Sequence, residues 1–547
     1  MPPSRFKTIL LIVCACFFLL CLAFIPLIGI QNDEALFATV VYGPILREFR
    51  LRAFGHDLPL MVMTYLGALK SWVYAAIYGL FTPSLFSLRI PPAVIGAATI
   101  AVFSAFLSKA TKSLPAAIAA AFLLALDPSF LLMTVYDWGP VAFQHLFLVC
   151  GCYLLWKFAN NPDAQRPLFL GFFCLGMGLW DKALLSWSLI GLSIATVSVF
   201  HRELRQLFTL RRAGIAILGF LIGGAPLVLY NVRHGLKTFR GNAKIDWSEV
   251  APKWVHAKST LDGSALFGYL VREEWEKTSV PPAPGLATTS YALREAVGER
   301  RQTLGYWAFL ISALAVPLWW RRRRAAFFAL IYLACAWTIM AATKDAGASA
   351  HHVVLLWPFP QFVIALAFAG LADRGRWGVL TLGIVVGVLS TQNFLVLNQY
   401  YTQATRFCGG TVWTDAMDPL HKAIVNRPAP TPMVNLLGWG TEFTLIMLEK
   451  GKLPLRNASV HVAADNPSQD DRNAIQAILG EAGALYVGHV EDQELQPGLV
   501  KRFDQQAASF GYRREEVQII ADRCGRPMFE LFRYVPAATA AATPSPK

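Results

Sequence analysis

Charge is what this sequence has least of. Only 15% of its 547 residues are Asp, Glu, Lys or Arg, whereas 55% are hydrophobic. A water-soluble chain carries about a quarter charged residues, so the deficit excludes an ordinary soluble globule and assigns most of the surface to lipid. Cysteine in metal-ligand spacing is also missing. Seven of the nine cysteines lie inside apolar runs, where they act as small hydrophobes. The other two, Cys408 and Cys524, fall in a polar C-terminal region, and the sequence leaves both a disulfide and two free thiols open. No small-residue cleavage site follows the first apolar run, 8–30, which is longer than a secretory core and reads as a retained transmembrane helix behind Arg5 and Lys7. The net charge of +14 does not mark a nucleic-acid binder. Its basic residues sit in short clusters between apolar runs, as in 202–212 and 321–324, which is the pattern that fixes membrane orientation.

What the sequence does have is runs near the length of about 20 residues that spans a bilayer. They cover 8–30, 90–108, 114–133, 139–157, 213–230, 304–320, 325–342, 353–371 and 377–397. The run 167–200 is too long for one helix and is interrupted by Trp180, Asp181 and Lys182, so it predicts two helices turning there. The stretch 61–81 carries Lys70 among Tyr, Trp and Gly. As a crossing it would reverse the sign rule for every later loop, so it reads as an interfacial helix. With the N-terminus in the cytoplasm, the resulting 11 crossings place the basic loops 109–112, 157–166, 201–212, 321–324 and 373–376 all inside.

The expected fold is therefore an all-α polytopic membrane bundle over 1–397, with a first outer loop at 31–89 and a long outer loop at 231–303. After about residue 398 no spanning run follows, and the pattern predicts a soluble, extracytoplasmic α/β domain over 398–536 with a disordered tail at 537–547. Its expected strands are 433–437, 458–462, 484–487 and the hairpin 517–521 with 528–534; its helical patterns lie at 442–450 and 472–481.

Ionisable residues then collect at the outer face. Asp33 and Glu34 follow the first helix; a carboxylate there suits proton removal from a sugar acceptor, and a solvated helix end is the plain alternative. Asp137, in Tyr136-Asp137-Trp138-Gly139-Pro140, can orient a substrate hydroxyl, share a metal ion with Asp33, or cap the next helix. Lys182 is a cation inside an apolar stretch and would stabilise a departing phosphate more than its ground state. Its neighbour Asp181 points about 100° away on a helix and cannot easily satisfy it. Arg233 and His234 can hold phosphate or snorkel to the interface. His351 and His352 are substrate-binding candidates that can contact the phosphate or a carboxylate; they diverge on a helix, so they do not form a metal site alone.

In their order along the chain these segments carry a resemblance. Asp33-Glu34-Ala35 resembles the acidic motif in the first outer loop of the protein O-mannosyltransferases and aminoarabinose transferases. The stretch 58–81 with Ser87-Leu88-Arg89-Ile90-Pro91 is similar to their loop and next helix start. Gly176-Met177-Gly178-Leu179-Trp180-Asp181-Lys182 looks like their Gly-Leu-x-x-x-x-Lys segment, and His351-His352 before Leu355-Leu356-Trp357-Pro358 like their His-Tyr and Pro pattern. The likeness covers 5–397. It implies an integral-membrane glycosyltransferase of the GT-C class, which moves a hexosyl or pentosyl group from a polyprenyl-phosphate donor to an extracytoplasmic protein, lipid or glycan, with inversion. Asp33 would be the base, with Glu34 beside it, Asp137 a second acid and Lys182 a contact to the lipid phosphate. Arg89 and His56 join the substrate-binding candidates from the matching loop. No cofactor is required by this reading, and a divalent metal on Asp33 and Asp137 is an option. The expected location is the inner membrane of a bacterium. A lipid-linked-sugar flippase and a polysaccharide ligase or polymerase are the competing classes; a flippase would place its ionisable groups near mid-membrane and often shows inverted repeats.

Overall fold

A computed structural model describes residues 3–43, 48–53, 55–273, 279–316, 322–427 and 430–537. Arg321 of the fourth basic cluster and positions 538–547 of the expected tail lie outside the described residues. In chain order come α1 (Pro3–Phe24), α2 (Asn32–Thr39), the strands β1 (Phe49–Ala53), β2 (His56–Met63) and β3 (Leu66–Gly67), then α3 (Leu69–Leu80) and α4 (Leu85–Thr111). The bundle continues through α5 (Leu114–Ala125), α6 (Pro128–Tyr136), α7 (Ala142–Asn160), α8 (Gln165–Asp181), α9 (Leu185–Leu207), α10 (Leu210–Gly223), α11 (Ala225–Arg233) and α12 (Lys237–Asn242). It closes with α13 (Val250–Leu261), α14 (Leu286–Val297), α15 (Gly305–Ala315), α16 (Arg323–Ala342), α17 (Ala350–Val353), α18 (Phe359–Ala372) and the long α19 (Gly375–Phe407).

The chain is a multi-pass membrane protein. Among the described residues five helices, α1, α4, α7, α16 and α19, are long and apolar enough to cross a bilayer, and up to eight crossings result if each bent helix pair is one span. That is fewer than the eleven read from sequence. One reason is local breakage: α5 and α6 meet at 56°, where Asp127 leaves the helix and its carboxylate accepts Phe130 N–H at 2.8 Å to start the next one. Another is length, since α8 has 17 residues and reaches only about 25 Å against a hydrocarbon core of about 30 Å. The break between α8 and α9 falls at Lys182, as the interrupted run predicts. The interfacial helix is shorter than the expected 61–81. Its first part instead pairs as β2 with β1 and β3, in a three-stranded antiparallel sheet. Gly67 permits this, because a Cβ there would lie 2.1 Å from Trp180 O.

Proline inside α4 also has a structural answer. Pro92 has no N–H to offer Leu88 O, and Tyr74 Oη donates to that carbonyl at 2.6 Å instead.

The basic loops gather at one end of the bundle. Arg322 pairs with Asp373 and reaches Thr111 O at 3.4 Å; Arg324 Nη1 pairs with Glu203 at 2.6 Å; Arg212 Nη2 donates to Pro162 O at 3.1 Å. The C-terminal residues pack at the opposite end. There β4 (Val434–Leu436), β5 (Leu455–Asn457), β6 (Leu485–His489), β7 (Tyr512–Ala521) and β8 (Pro527–Pro536) form a sheet in the order β5-β4-β6-β8-β7. Helices α20 (Met417–Val425) and α21 (Glu442–Leu448) share one core with it, and α22 (Gln469–Leu479) and α23 (Leu499–Ser509) share another. The segment 458–462, expected as a strand, is a 3-10 turn. Asn457 Oδ1 accepts both Ser459 N–H and its hydroxyl, which curls the chain after β5.

A disulfide joins Cys408, just past α19, to Cys524 in the β7–β8 turn. Beside it Arg523 donates to Leu27 O at 2.6 Å and Ala404 O at 2.5 Å, which ties the sheet to the exits of α1 and α19.

Candidate active site

Where the chain leaves α1, Gln31 Oε1 accepts the N–H groups of Asp33 at 2.6 Å and Glu34 at 3.1 Å and starts α2. Both carboxylates thus sit in the first turn of a helix, a favourable position for negative charge. They point to different partners. Glu34 is buried in a bidentate pair with Arg89, Nε to Oε1 at 2.6 Å and Nη2 to Oε2 at 2.8 Å. Arg89 also donates to Ile25 O, Ile28 O and Gly29 O, and its guanidinium lies 4.6 Å from the centre of the Tyr136 ring. This pair staples the exit of α1, so Glu34 and Arg89, both expected at the chemistry, are occupied by each other. Asp33 holds no ion pair among the described residues. Burial raises its carboxyl above the ordinary carboxylate value. Tyr65 and Tyr269 lie close enough for its charge to add to burial in raising both phenols.

Asp137 closes α6 with a positive φ of 25°. Its Oδ1 accepts Val141 N–H at 2.7 Å and Ala142 N–H at 3.1 Å, so it does start the following helix. Its Oδ2 meets Lys70 Nζ at 2.8 Å, and the same ammonium donates to Asp137 O at 2.8 Å. Two residues on, Gly139 O accepts Lys182 Nζ at 2.5 Å. Lys182 is held in turn by Gln144, which donates to its carbonyl at 2.7 Å, and by a bridge to Leu66. Next to it Asp181 is fully buried, with no hydrogen-bond partner among the described residues on either carboxylate oxygen. His351 packs on the same turn: a Cβ on Gly139 would lie 2.6 Å from its ring, and the Trp138 ring is 5.8 Å away. Its Nδ1 is 2.7 Å from Ser349 Oγ, and His352 stands beside it with ring centres 4.2 Å apart. The turn 137–139 therefore brings Asp137, Lys182, His351 and His352 together with Lys70 and Asp181.

Asp33 faces this hub through Tyr65, whose carbonyl accepts Ala183 N–H at 2.9 Å, and through Tyr269, whose ring is 5.6 Å from Trp138. Trp413 completes the aromatic wall, 5.1 Å from Trp138 and 6.2 Å from Tyr269. Arg233, His234 and His56 lie elsewhere. Arg233 and His234 pack on Phe49, at 5.6 and 5.5 Å, and His234 Nδ1 is 2.9 Å from Tyr230 O. His56 opens β2, paired with Ala53 across a hairpin. All three are near the expected boundary, but that boundary fixes depth and not the side of the bundle.

Four residues at the site escaped the sequence reading: Asp181 as more than a neighbour, Lys70 as more than a mark of the interface, and Tyr269 and Trp413. For Lys70 the signal was there, as an ammonium in an apolar stretch. For the two aromatics there was none.

Neither a protein-family model nor a curated protein sequence matches the chain. Solved structures do. The chain superposes on ArnT from Cupriavidus metallidurans bound to undecaprenyl phosphate with a TM-score of 0.58, at 12% identity over 100% of both chains. It superposes on the apo Archaeoglobus fulgidus oligosaccharyltransferase with a TM-score of 0.52, at 13% identity over 90% of this chain and 70% of that one. The chain has the GT-C fold. A second form of the archaeal enzyme, TM-score 0.51 at 12% identity over 88% of this chain and 68% of that one, is a complex with zinc and sulfate. In the present GT-C fold the ligand atoms of Cys408, Asp522 and Cys524 lie within 4.8 Å of one another. Both sulfurs belong to the disulfide, so they offer no thiolate to a metal. At the hub, Asp137 already accepts two N–H groups and an ammonium, so among the described residues the carboxylates without an ion pair are Asp33 and the buried Asp181.

Proposed function

We propose that the chain transfers a sugar from a polyprenyl-phosphate donor to an extracytoplasmic hydroxyl acceptor with inversion, at the hub of the 137–139 turn. The observation that carries this reading is the division of charge: buried ammonium groups at Lys70 and Lys182 share the 137–139 turn, while half-buried Asp33 holds no ion pair among the described residues. The GT-C fold, shared with a transferase bound to undecaprenyl phosphate, agrees with it.

In the transfer, the acceptor oxygen bonds to the anomeric carbon as the bond from that carbon to the phosphate oxygen breaks. Asp33 takes the acceptor proton, and its raised basicity suits the role. The departing polyprenyl phosphate gains charge as it leaves. Lys182 uses one of its three N–H donors on Gly139 O and keeps two for the phosphate. Asp137 fixes Lys70 and the start of α7, which makes it a positioning acid. Tyr269, 40% exposed, gives the sugar ring an apolar face to lie on, with the buried Trp138 and Trp413 packed behind it.

The finer topology belongs to the same proposal: eleven crossings, the N-terminus in the cytoplasm, and 398–536 as a domain on the far side of an inner membrane. The disulfide supports that side, since such bonds persist in oxidising compartments. The test is incubation of purified protein with a panel of polyprenyl-phosphate sugars, with and without chelator, following release of lipid phosphate. Transfer from any donor supports the reading, and loss on chelation adds a metal at Asp33. Movement of intact lipid-linked sugar across vesicles without release of lipid phosphate would replace it with a flippase.

A further inference from the structure

We propose that the arm 232–255 is a collar that binds the headgroups of anionic phospholipids at the edge of the bundle. The arm begins where α10 and α11 end and runs to the end of α16. It is firmly tied: Thr238 Oγ1 donates to Thr64 O at 2.5 Å, Asp246 N–H to Ala342 O at 2.8 Å, and Lys253 Nζ to Ala341 O at 3.0 Å. Yet its outer side is apolar. Leu236 is 52% exposed, Ile245 76%, Trp247 61% and Trp254 48%. Exposed tryptophans beside the ends of apolar helices mark the level of the membrane-water interface.

Charge is distributed to match. Arg233, Lys237, Arg240 and Lys244 all precede Asp246, the first acid of the arm. Lys237 is paired with Glu48 at 2.7 Å. Arg240 and Lys244 are exposed and hold no ion pair among the described residues. Ammonium and guanidinium groups on the same arm as exposed indole rings fit a phosphodiester whose acyl chains lie beside the protein. A net negative headgroup gains from them, whereas a zwitterionic one offsets the gain with its own ammonium. This is separate from the transfer site: among the described residues the arm's bonds run to Thr64, Glu48, Ala341 and Ala342, and none joins Arg240 or Lys244 to the 137–139 turn.

The test uses the full chain in nanodiscs of phosphatidylcholine alone or mixed with phosphatidylglycerol, with bound lipid counted by native mass spectrometry and unfolding followed by thermal shift. Wild-type protein is expected to retain phosphatidylglycerol in preference and to melt higher in the mixed discs. The preference should fall about fivefold for each cation removed in Arg240→Gln and Lys244→Gln, and weaken as salt is raised. Equal retention of both lipids would overturn the proposal. So would a preference that survives high salt unchanged in wild type, or stabilisation by polyprenyl phosphate but not by phosphatidylglycerol.

Discussion

Replacing Asp33 with Asn removes one negative charge from the first turn of α2 and leaves its shape in place. Folding should hardly notice. The bond that anchors Asp33 runs from its backbone N–H to Gln31 Oε1, and the buried Glu34–Arg89 pair is untouched. Loss of the charge at a helix N-terminus costs about 0.3–1 kcal/mol. Against this, burial raises the carboxyl in the folded protein, so ionised Asp33 weakens the fold above its raised value, and Asn relieves that penalty at neutral pH. The two terms oppose each other, and Tm should move by about 2 °C or less. Catalysis should respond far more. Loss of a positioned base lowers the rate by about a hundredfold to ten-thousandfold, or about 3–5 kcal/mol of barrier. The pH profile adds a second readout: wild-type kcat/KM should fall, as pH falls, through a carboxyl value above the ordinary one of about 4, and that limb should vanish in Asp33→Asn. Lipid-phosphate release gives the rate, and thermal shift in detergent gives Tm. Activity within about tenfold of wild type at matched Tm would remove Asp33 from the chemistry, and so would an acid limb that persists in the variant.

Glu34→Gln should behave oppositely, because it leaves the Arg89 cation fully buried and unpaired; the expected loss is about 3–5 kcal/mol of stability, and Glu34→Gln with Arg89→Met should be milder than either single change in a double-mutant cycle. Cys524→Ser opens a loop closed across 116 residues and should destabilise the C-terminal sheet by about 2–5 kcal/mol, while a reducing agent should lower the Tm of wild type and leave the variant unchanged. His489 at the end of β6 is buried, and its imidazole is pushed down to about 4. Its unfolded form takes up a proton near pH 6.5, so stability should drop by up to about 3 kcal/mol as pH falls from there to about 4, then level off. Hydrogen exchange of the β6 amides reads this slope, and His489→Leu should flatten it.

Much of this was legible in the sequence because the bilayer imposes one coordinate. Runs of apolar residues fix which end of a helix a loop leaves from, and the basic loops do meet at one end, through Arg322 with Asp373 and Arg324 with Glu203. Depth therefore placed Asp33, Asp137, Lys182 and His351 at the same level. Position around the bundle was not legible. Arg233 has the same depth, but its helix packs behind the Trp180 and Phe49 cluster and turns it away. Glu34 and Asp33 are adjacent in sequence, and only the approach of α4, with Arg89 on its first turns, pairs one of them and leaves the other without an ion pair among the described residues. The number of crossings was the least legible feature, because a bent pair such as α5 and α6 keeps its apolar character across the break at Asp127, and length and composition alone give five spans or up to eight among the described residues.

The 137–139 turn shows why these charges can be kept together at all. Cations and carboxylates buried this closely repel or collapse on each other unless backbone groups share the load. Here they do: Asp137 O and Oδ2 hold Lys70, Gly139 O holds Lys182, and the N–H groups of Val141 and Ala142 hold Asp137 Oδ1. Because Lys182 Nζ donates to a neutral carbonyl, an anion entering the hub has no carboxylate to displace from it. Asp181, next to Lys182, is buried with no hydrogen bond to either carboxylate oxygen among the described residues. A phosphate entering the hub would therefore meet ammonium groups already oriented by the main chain, with little reorganisation left for the moment of bond breaking.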